Sequence, residues 1–391
     1  MRCGSIHAFI LRILNVNDTL GLRMGGGTAE RTFQMSRFLA GLEDVQCTVL
    51  TLDIELDKTR IQTILPAEVV ALSSCWNRFY VPKRGWQTIR KLVASADVIH
   101  LMGHWSVLNL LVYWAARRAK KPYVVCPAGA LPIFGRSANI KRLYNFVAGR
   151  AIIRNASAWI AVTKGELSHF EVYGIAPSRV TIIPNGVNEE DFPAADVVAF
   201  KRKRKIPDAP IILFMGRLNP IKGPDLLLEA FIKARDSLPG AHLVFAGPDG
   251  GMLAALTNTV RQSDISEFVH FLGFVDGAER VAAYRMANLL VVPSRQEAMS
   301  IVAVEAGFCG TPVLLTDQCG FSEIKSIDAR LEVPATVCGI AQGLTNVMSD
   351  INVLAEIAPA WTKFVKQQYA WTSLAPKYMK LYESILGVTT K

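Results

Sequence analysis

Twelve short apolar segments, many of them separated by stretches of helical pattern, set the strongest limit on what this chain can fold into. In the first half the spacing predicts strands over residues 11–16, 45–52, 69–72, 97–101, 122–126, 158–162 and 180–183. Helical patterns lie between several of them, over 28–42, 85–94, 107–119 and 164–173. Continuous apolar strands joined by helices of this length imply a parallel sheet covered on both faces. The theme repeats in the second half, with strands predicted over 211–214, 242–245, 269–272, 289–292 and 312–315. The expected class is therefore α/β, with two doubly wound domains in one chain.

Composition shifts place the boundary. Pro184-Asn185-Gly186 is a turn signal at the end of the first half. An acidic stretch follows, then the basic run 201–205, read as a solvated helix face or linker. The predicted domains are 1–189, joined by a tail helix over 372–391, and 190–371. Past Val337 the pattern is helical to the end, with Thr372 as the N-cap expected for the last helix. No solenoid repeat and no low-complexity tract interrupts this plan. The 391 residues suffice for two cores, and half of them are apolar.

The net charge of +10 is confined to the first half: residues 1–190 hold 23 Lys and Arg against 13 Asp and Glu. That asymmetry points to an anionic partner there, a phospholipid surface, a lipid-linked pyrophosphate or nucleic acid, or else to a solvated basic face with no partner. The run at 201–205 lacks interleaved aromatics, so bases would find no stacking platform there, and no nucleic acid is expected. No apolar run approaches the roughly 18–20 residues that span a bilayer. The first sixteen residues resemble a signal sequence superficially, but Arg12 interrupts them, and a buried first strand after a short extension is the better reading. Seven scattered cysteines without a C-x-x-C fit reduced thiols in a cytosolic setting.

Ligands of such sheets bind beyond the carboxyl ends of the strands, so two facing domains would enclose a cleft. Three segments bring chemistry there. In Pro293-Ser294-Arg295-Gln296-Glu297-Ala298-Met299-Ser300-Ile301, a loop presents Glu297 and a helix opens near Ser300, with Glu305 in its second turn. The free N–H groups of Ser300, Ile301 and the rest of that turn suit a phosphate. Glu305 could accept from a ribose diol, and Glu297 could hold sugar hydroxyls and offset positive charge at the anomeric carbon. On spacing alone both glutamates are equally well read as ordinary exposed residues. In Gly216-Arg217-Leu218-Asn219-Pro220-Ile221-Lys222-Gly223, two permanent cations sit at a strand-to-helix junction, where they could neutralise a diphosphate leaving group. In the first domain, His104 follows a strand, and Gly25-Gly26-Gly27 follows the first strand without forming a G-x-G-x-x-G fingerprint, against a dehydrogenase.

In this order the residues resemble the family 4 retaining glycosyltransferases of the two-domain GT-B type, over almost the whole length. The likeness runs through the Gly-Gly and Ala-Glu of the first loop, His104 in Gly-His-Trp-Ser, Pro122 to Gly129 and Pro184-Asn185-Gly186-Val187. It continues through Gly216-Arg217-Leu218 with Lys222-Gly223, Ala246-Gly247-Pro248, the Glu297/Glu305 pair and Cys309-Gly310-Thr311-Pro312, to a tail helix crossing back to the first domain. The resemblance implies two Rossmann-like domains facing each other. It implies Arg217, Lys222, Gly216, Gly247, Ser300 and Ile301 around the donor diphosphate, Glu305 at the nucleotide ribose, Glu297 and His104 at the transferred sugar, and Gly26 and Gly27 on the rim. It implies no metal or other cofactor, and retention through departure and attack on one face, with a donor phosphate oxygen taking the acceptor proton. A UDP- or GDP-sugar is the expected donor, and a saccharide, lipid-pyrophosphate-linked, the expected acceptor, in cell-surface polysaccharide or glycolipid assembly. Arg136, Lys141, Arg142 and Arg150, interleaved with Leu143, Tyr144, Phe146 and Val147, read either as an interfacial helix or as an ordinary basic face. The setting expected is cytoplasmic, peripheral at the inner face of the cell membrane. A nucleotide-sugar epimerase of the same shape is the alternative enzyme. Ser300 replaces a frequent Gly, Asn188 a frequent Asp, and the extension before Leu11 is atypical.

Overall fold

The computed structural model describes residues 10–76, 80–133, 137–297, 299–348 and 351–387. The chain divides into two compact units, Met1–Gly186 with Trp371–Lys391, and Val187–Ala370.

The first unit is built on β1 (Leu11–Val16), β2 (Val45–Leu52), β3 (Glu68–Leu72), a small antiparallel hairpin of β4 (Ser74–Trp76) and β5 (Val81–Pro82), then β6 (Val98–Met102), β7 (Tyr123–Cys126), β8 (Ala158–Ala161) and β9 (Val180–Ile182). Seven of these form a parallel sheet in the order β3-β2-β1-β6-β7-β8-β9. The order reverses between β1 and β6, which makes that point the place where loops part and a ligand can enter. Every residue of β6 is buried, as a strand covered on both faces requires. One sheet face, with Leu14, Leu101 and Val125, packs under the helices Trp86–Ser95, Val107–Ala119 and Arg150–Arg154.

The opposite face carries the helix Leu22–Ala40 and the tail helix Trp371–Leu386, held by polar contacts sequence reading did not anticipate. Asn15 Nδ2 donates to Ser36 Oγ at 2.8 Å, and His100 Nδ1 meets the Tyr382 hydroxyl at 3.0 Å. Burial, then the nearby Arg31 charge, pushes His100 down to about 3, so the ring is neutral. Arg31 is itself buried and donates to Tyr378 Oη at 2.6 Å, the Ile183 carbonyl at 2.7 Å and Asn185 Oδ1 at 2.8 Å. A buried guanidinium is tolerated only when acceptors surround it in this way. Gly26 adopts a non-helical φ of +52° and kinks the element Leu22–Ala40, so the helix predicted from Thr28 starts just past that break. Thr372 does not cap the last helix. Val187 N donates to the Tyr369 carbonyl, Ala370 pairs with Val187, and the helix begins at Trp371 at once.

The second unit holds β10 (Ile211–Met215), β11 (His242–Ala246), β12 (Val269–Gly273), β13 (Leu289–Val292), β14 (Val313–Thr316) and β15 (Glu332–Val333), in the order β12-β11-β10-β13-β14-β15. Its reversal falls between β10 and β13. The basic run forms the last turn of the helix Val197–Arg204 and its C-cap Lys205; Arg202 and Lys203 are exposed, and Lys203 and Arg204 both pair with Glu279. Among the described residues no helix is long and apolar enough to cross a membrane.

The tail helix should depend on Arg31 keeping all its acceptors. Tyr378→Phe should cost about 1–3 kcal/mol, the penalty for leaving a buried charged donor short of a partner. Urea unfolding followed by tryptophan fluorescence reads it, and unchanged stability would mean Arg31 does not rely on this hydroxyl.

Candidate functional site

In the second unit, the loops leaving β10, β11 and β13 converge because glycines let their backbones touch. Gly247 has φ +146°, and a Cβ there would lie 1.9 Å from the Gly216 carbonyl oxygen. Gly223, at φ +68°, would place a Cβ 2.1 Å from the Pro293 carbonyl oxygen. Only glycine fits such backbone-to-backbone approaches. Arg295 N bonds the Ile221 carbonyl at 2.8 Å, and the Arg295 guanidinium forks onto Asp225 at 2.6 and 2.9 Å.

On this frame Lys222 forms an ion pair with Glu297, whose second carboxylate oxygen accepts from Ser294 Oγ at 3.0 Å. The Glu297 backbone amide donates to the Gln318 carbonyl at 2.9 Å, so the residue is fixed at its backbone as well as at both carboxylate oxygens. Arg217 is exposed, and its guanidinium bonds no described residue, which leaves a cation available at the strand end. Glu305 is mostly buried and accepts from the Tyr284 hydroxyl at 2.7 Å and Arg280 at 3.3 Å. The ribose-binding role expected of it would have to share those two donors. Ser300 stands at the N-cap of the helix Ile301–Phe308 but makes no capping bond. Its hydroxyl is buried without a partner among the described residues, beside the amides that open the helix. Ala298 lies outside the described residues.

In the first unit, His104 follows β6 and is buried among aromatic rings, edge-on to Trp105, Tyr144 and Tyr173 at 4.5–5.7 Å. Its Nε2 meets Asn145 Oδ1 at 2.9 Å, and burial pushes it down to about 4. At neutral pH it is a fixed, uncharged hydrogen-bonding group. Gly26 and Gly27 are exposed, with open space around them.

Sequence reasoning missed Asp18. It stands just past β1, partly exposed, and accepts from Ser106 Oγ, just past β6, at 2.6 Å. Burial raises it to about 6. The available signal was position: Asn17-Asp18 and Gly103–Ser106 follow the two strands between which the sheet order reverses.

Arg136 lies outside the described residues. Lys141 Nζ sits 5.5 Å from the Trp105 ring, Arg142 bonds Asn139 at 2.8 Å, and Arg150 is exposed. A π-helical turn over Asn145–Gly149 points Asn145 inward to His104 and leaves Phe146 87% and Val147 64% exposed.

Two doubly wound units in one chain, with cations and carboxylates at the strand ends of the second, define the GT-B class. Solved structures of low identity share the fold. Anabaena Alr3699/HepE in complex with UDP and glucose superposes with a TM-score of 0.75 at 17% identity, covering 96% of this chain and 100% of that one. Sucrose-phosphate synthase from Thermosynechococcus elongatus gives 0.72 at 19%, covering 96% and 99%. WaaG, a glycosyltransferase involved in lipopolysaccharide biosynthesis, gives 0.61 at 17%, covering 96% and 100%. A family model described as glycosyl transferase 4-like domain matches residues 26–186, and one described as glycosyl transferases group 1 matches 198–350. The chain belongs to the family 4 glycosyltransferases. D-inositol 3-phosphate glycosyltransferase 2 of Catenulispora acidiphila is 37% identical over 42% of this chain and 40% of its own length. The D-inositol 3-phosphate glycosyltransferase of Nocardia farcinica is 34% identical over 60% and 54%. The match thus spans about half the length of these curated relatives.

The Asp18 carboxyl gives a test by linkage. Its folded value lies above the unfolded one, so the native state binds the proton more tightly and loses stability as pH rises from 3.8 towards 6. Asp18→Asn should remove that loss, on the order of 2 kcal/mol between pH 4 and pH 7. Equal pH dependence of thermal unfolding in both proteins would show that the carboxyl is not perturbed.

Proposed function

We propose that this chain transfers a sugar from a nucleotide-sugar donor to a saccharide acceptor with retention of anomeric configuration. The observation that carries the reading is the Lys222–Glu297 ion pair, with Arg217 exposed on the same loop as Lys222, where the sheet order of the second unit reverses between β10 and β13. Breaking the bond from the anomeric carbon to the diphosphate leaves negative charge on the leaving oxygen, and fixed cations offset it most effectively where water is scarce. Arg217 and Lys222 take that role without a metal. Ser300 Oγ and the first amides of its helix receive a phosphate, Glu305 the ribose, and Glu297, released from Lys222 by the incoming diphosphate, the transferred sugar. The acceptor oxygen bonds the anomeric carbon on the face the diphosphate leaves, and its proton passes to a donor phosphate oxygen. His104 serves as a neutral hydrogen-bonding partner of the sugar.

The UDP in the Alr3699/HepE structure supports a UDP-linked donor. Relatives named for D-inositol 3-phosphate support a phosphate-bearing acceptor, and the basic first unit fits one. The exposed Phe146 and Val147 beside Arg142 and Arg150 support a lipid-linked acceptor, met by a peripheral protein at the inner face of a membrane.

A thermal-shift screen with UDP-, GDP- and ADP-sugars should show one donor raising stability with concentration, by about 2.7 kcal/mol at a hundredfold excess over Kd. Glu297→Gln should lower turnover roughly 100-fold while leaving donor affinity nearly unchanged. Chelators should leave activity intact. No stabilisation by any sugar nucleotide would count against the reading, and a new sugar nucleotide formed from donor alone would favour the epimerase.

A further inference from the structure

Behind the sheet of the first unit, the helices Trp86–Ser95 and Val107–Ala119 run side by side and leave a groove of about 480 Å³ between them. Arg90, Lys91 and Arg118 line it over a floor that includes Ala94 and Ala115. None of the three cations bonds or pairs with a described residue, and all are exposed. The stretch that carries Arg118, residues 98–165, contains ten Lys and Arg and no Asp or Glu.

Each helix also places a tryptophan one turn before its groove arginine, Trp86 before Arg90 and Trp114 before Arg118. Residues four apart share a helix face. Trp86 is 41% and Trp114 48% exposed, although indole rings of this size are normally covered. The next helical segment continues the same layer. Asn155, which closes Arg150–Arg154, bonds the Tyr113 hydroxyl at 3.0 Å, and Ile152 packs in the same core cluster as Ile89 and Val112. That segment exposes Leu143, Phe146 and Val147. Cations, indoles and bare aliphatic groups therefore share one helical layer, on the sheet face opposite the tail helix.

We propose that the outer face of this layer docks on an anionic lipid bilayer, with the groove between the first two helices seating a phospholipid phosphate. The inference rests on the membrane-peripheral reading above and adds a headgroup site to it. Indole rings settle at the headgroup level, and arginine stems extend past them to phosphate oxygens, which they grip in a fork. A nucleic acid would satisfy the cations but gain nothing from the exposed aliphatic groups, whereas a bilayer satisfies both.

The test is sedimentation of the full chain with vesicles of phosphatidylcholine alone and of equimolar phosphatidylcholine and phosphatidylglycerol. The chain should bind the anionic vesicles only, and less as salt rises. Arg90→Ala with Arg118→Ala should weaken that binding by about tenfold or more. Lys377→Ala with Lys380→Ala, the same charge change on the tail helix, should weaken it far less. Equal losses in both pairs would reduce the effect to net charge and overturn the groove. Phe146→Ala tests the apolar wedge separately: if it weakens binding while the groove pair does not, the peripheral reading stands and the headgroup site falls. No vesicle binding at all overturns both. Stabilisation by inorganic phosphate alone, lost in the groove pair, would make this a free-phosphate site and overturn the lipid assignment. The donor-induced thermal shift should be unchanged in both double variants, which separates failure here from failure of the donor site.

Discussion

The Lys222–Glu297 ion pair depends on backbones that only glycine allows to touch, and the proposed donor site depends on that pair. A parallel sheet sends the loops after β10 and β13 out on the same side, but it does not by itself bring their side chains together. Gly223 against Pro293 and Gly247 against Gly216 close the remaining distance. The lysine and the glutamate then neutralise each other in a setting where either alone would be costly. The free protein thus stores its acidic and basic groups as partners, with Ser294 fixing the carboxylate and Arg217 left open to solvent. Under the proposed function, an incoming diphosphate would find one cation ready and a second that it must take from Glu297.

The first unit distributes its polar chemistry in a different way. One sheet face buries Arg31 and His100 against the tail helix, where the Arg31 Nη atoms and His100 Nδ1 find protein partners. The other face carries the helices whose outer surface exposes Arg90, Lys91 and Arg118. At the carboxyl edge between β1 and β6, Asp18 with Ser106 and His104 with Asn145 make two desolvated polar pairs. Both are shifted towards their neutral forms by burial, so this edge offers hydrogen bonds more than charge.

Most of the sheet was legible in the sequence because buried parallel strands are continuous apolar runs. Strands such as 11–16, 45–52 and 289–292 coincide with β1, β2 and β13. The hairpin of β4 and β5 and the two-residue β15 were not legible, since elements so short carry no periodicity. The final helix starts one residue before its expected cap because a bridge between Val187 and Ala370, distant in sequence, decides where the chain turns. At the donor loops the residue types and order were readable, but pairing was not. Nothing local says that Lys222 closes on Glu297, that Glu305 is already engaged by Tyr284 and Arg280, or that the Ser300 hydroxyl goes uncapped. Asp18 escaped for a related reason: its partner lies 88 residues away, across the point where the strand order reverses.

The central claim is that the cations at this reversal point recognise a nucleotide through its diphosphate. The most direct measurement is calorimetric titration of UDP and of uridine into the native protein and Arg217→Ala. Arg217 has no protein partner among the described residues, so its removal leaves no buried charge behind. The account requires UDP affinity to fall about tenfold or more, the value of a charge-assisted phosphate contact, while uridine affinity stays the same. UDP binding with equal affinity in both proteins would contradict it.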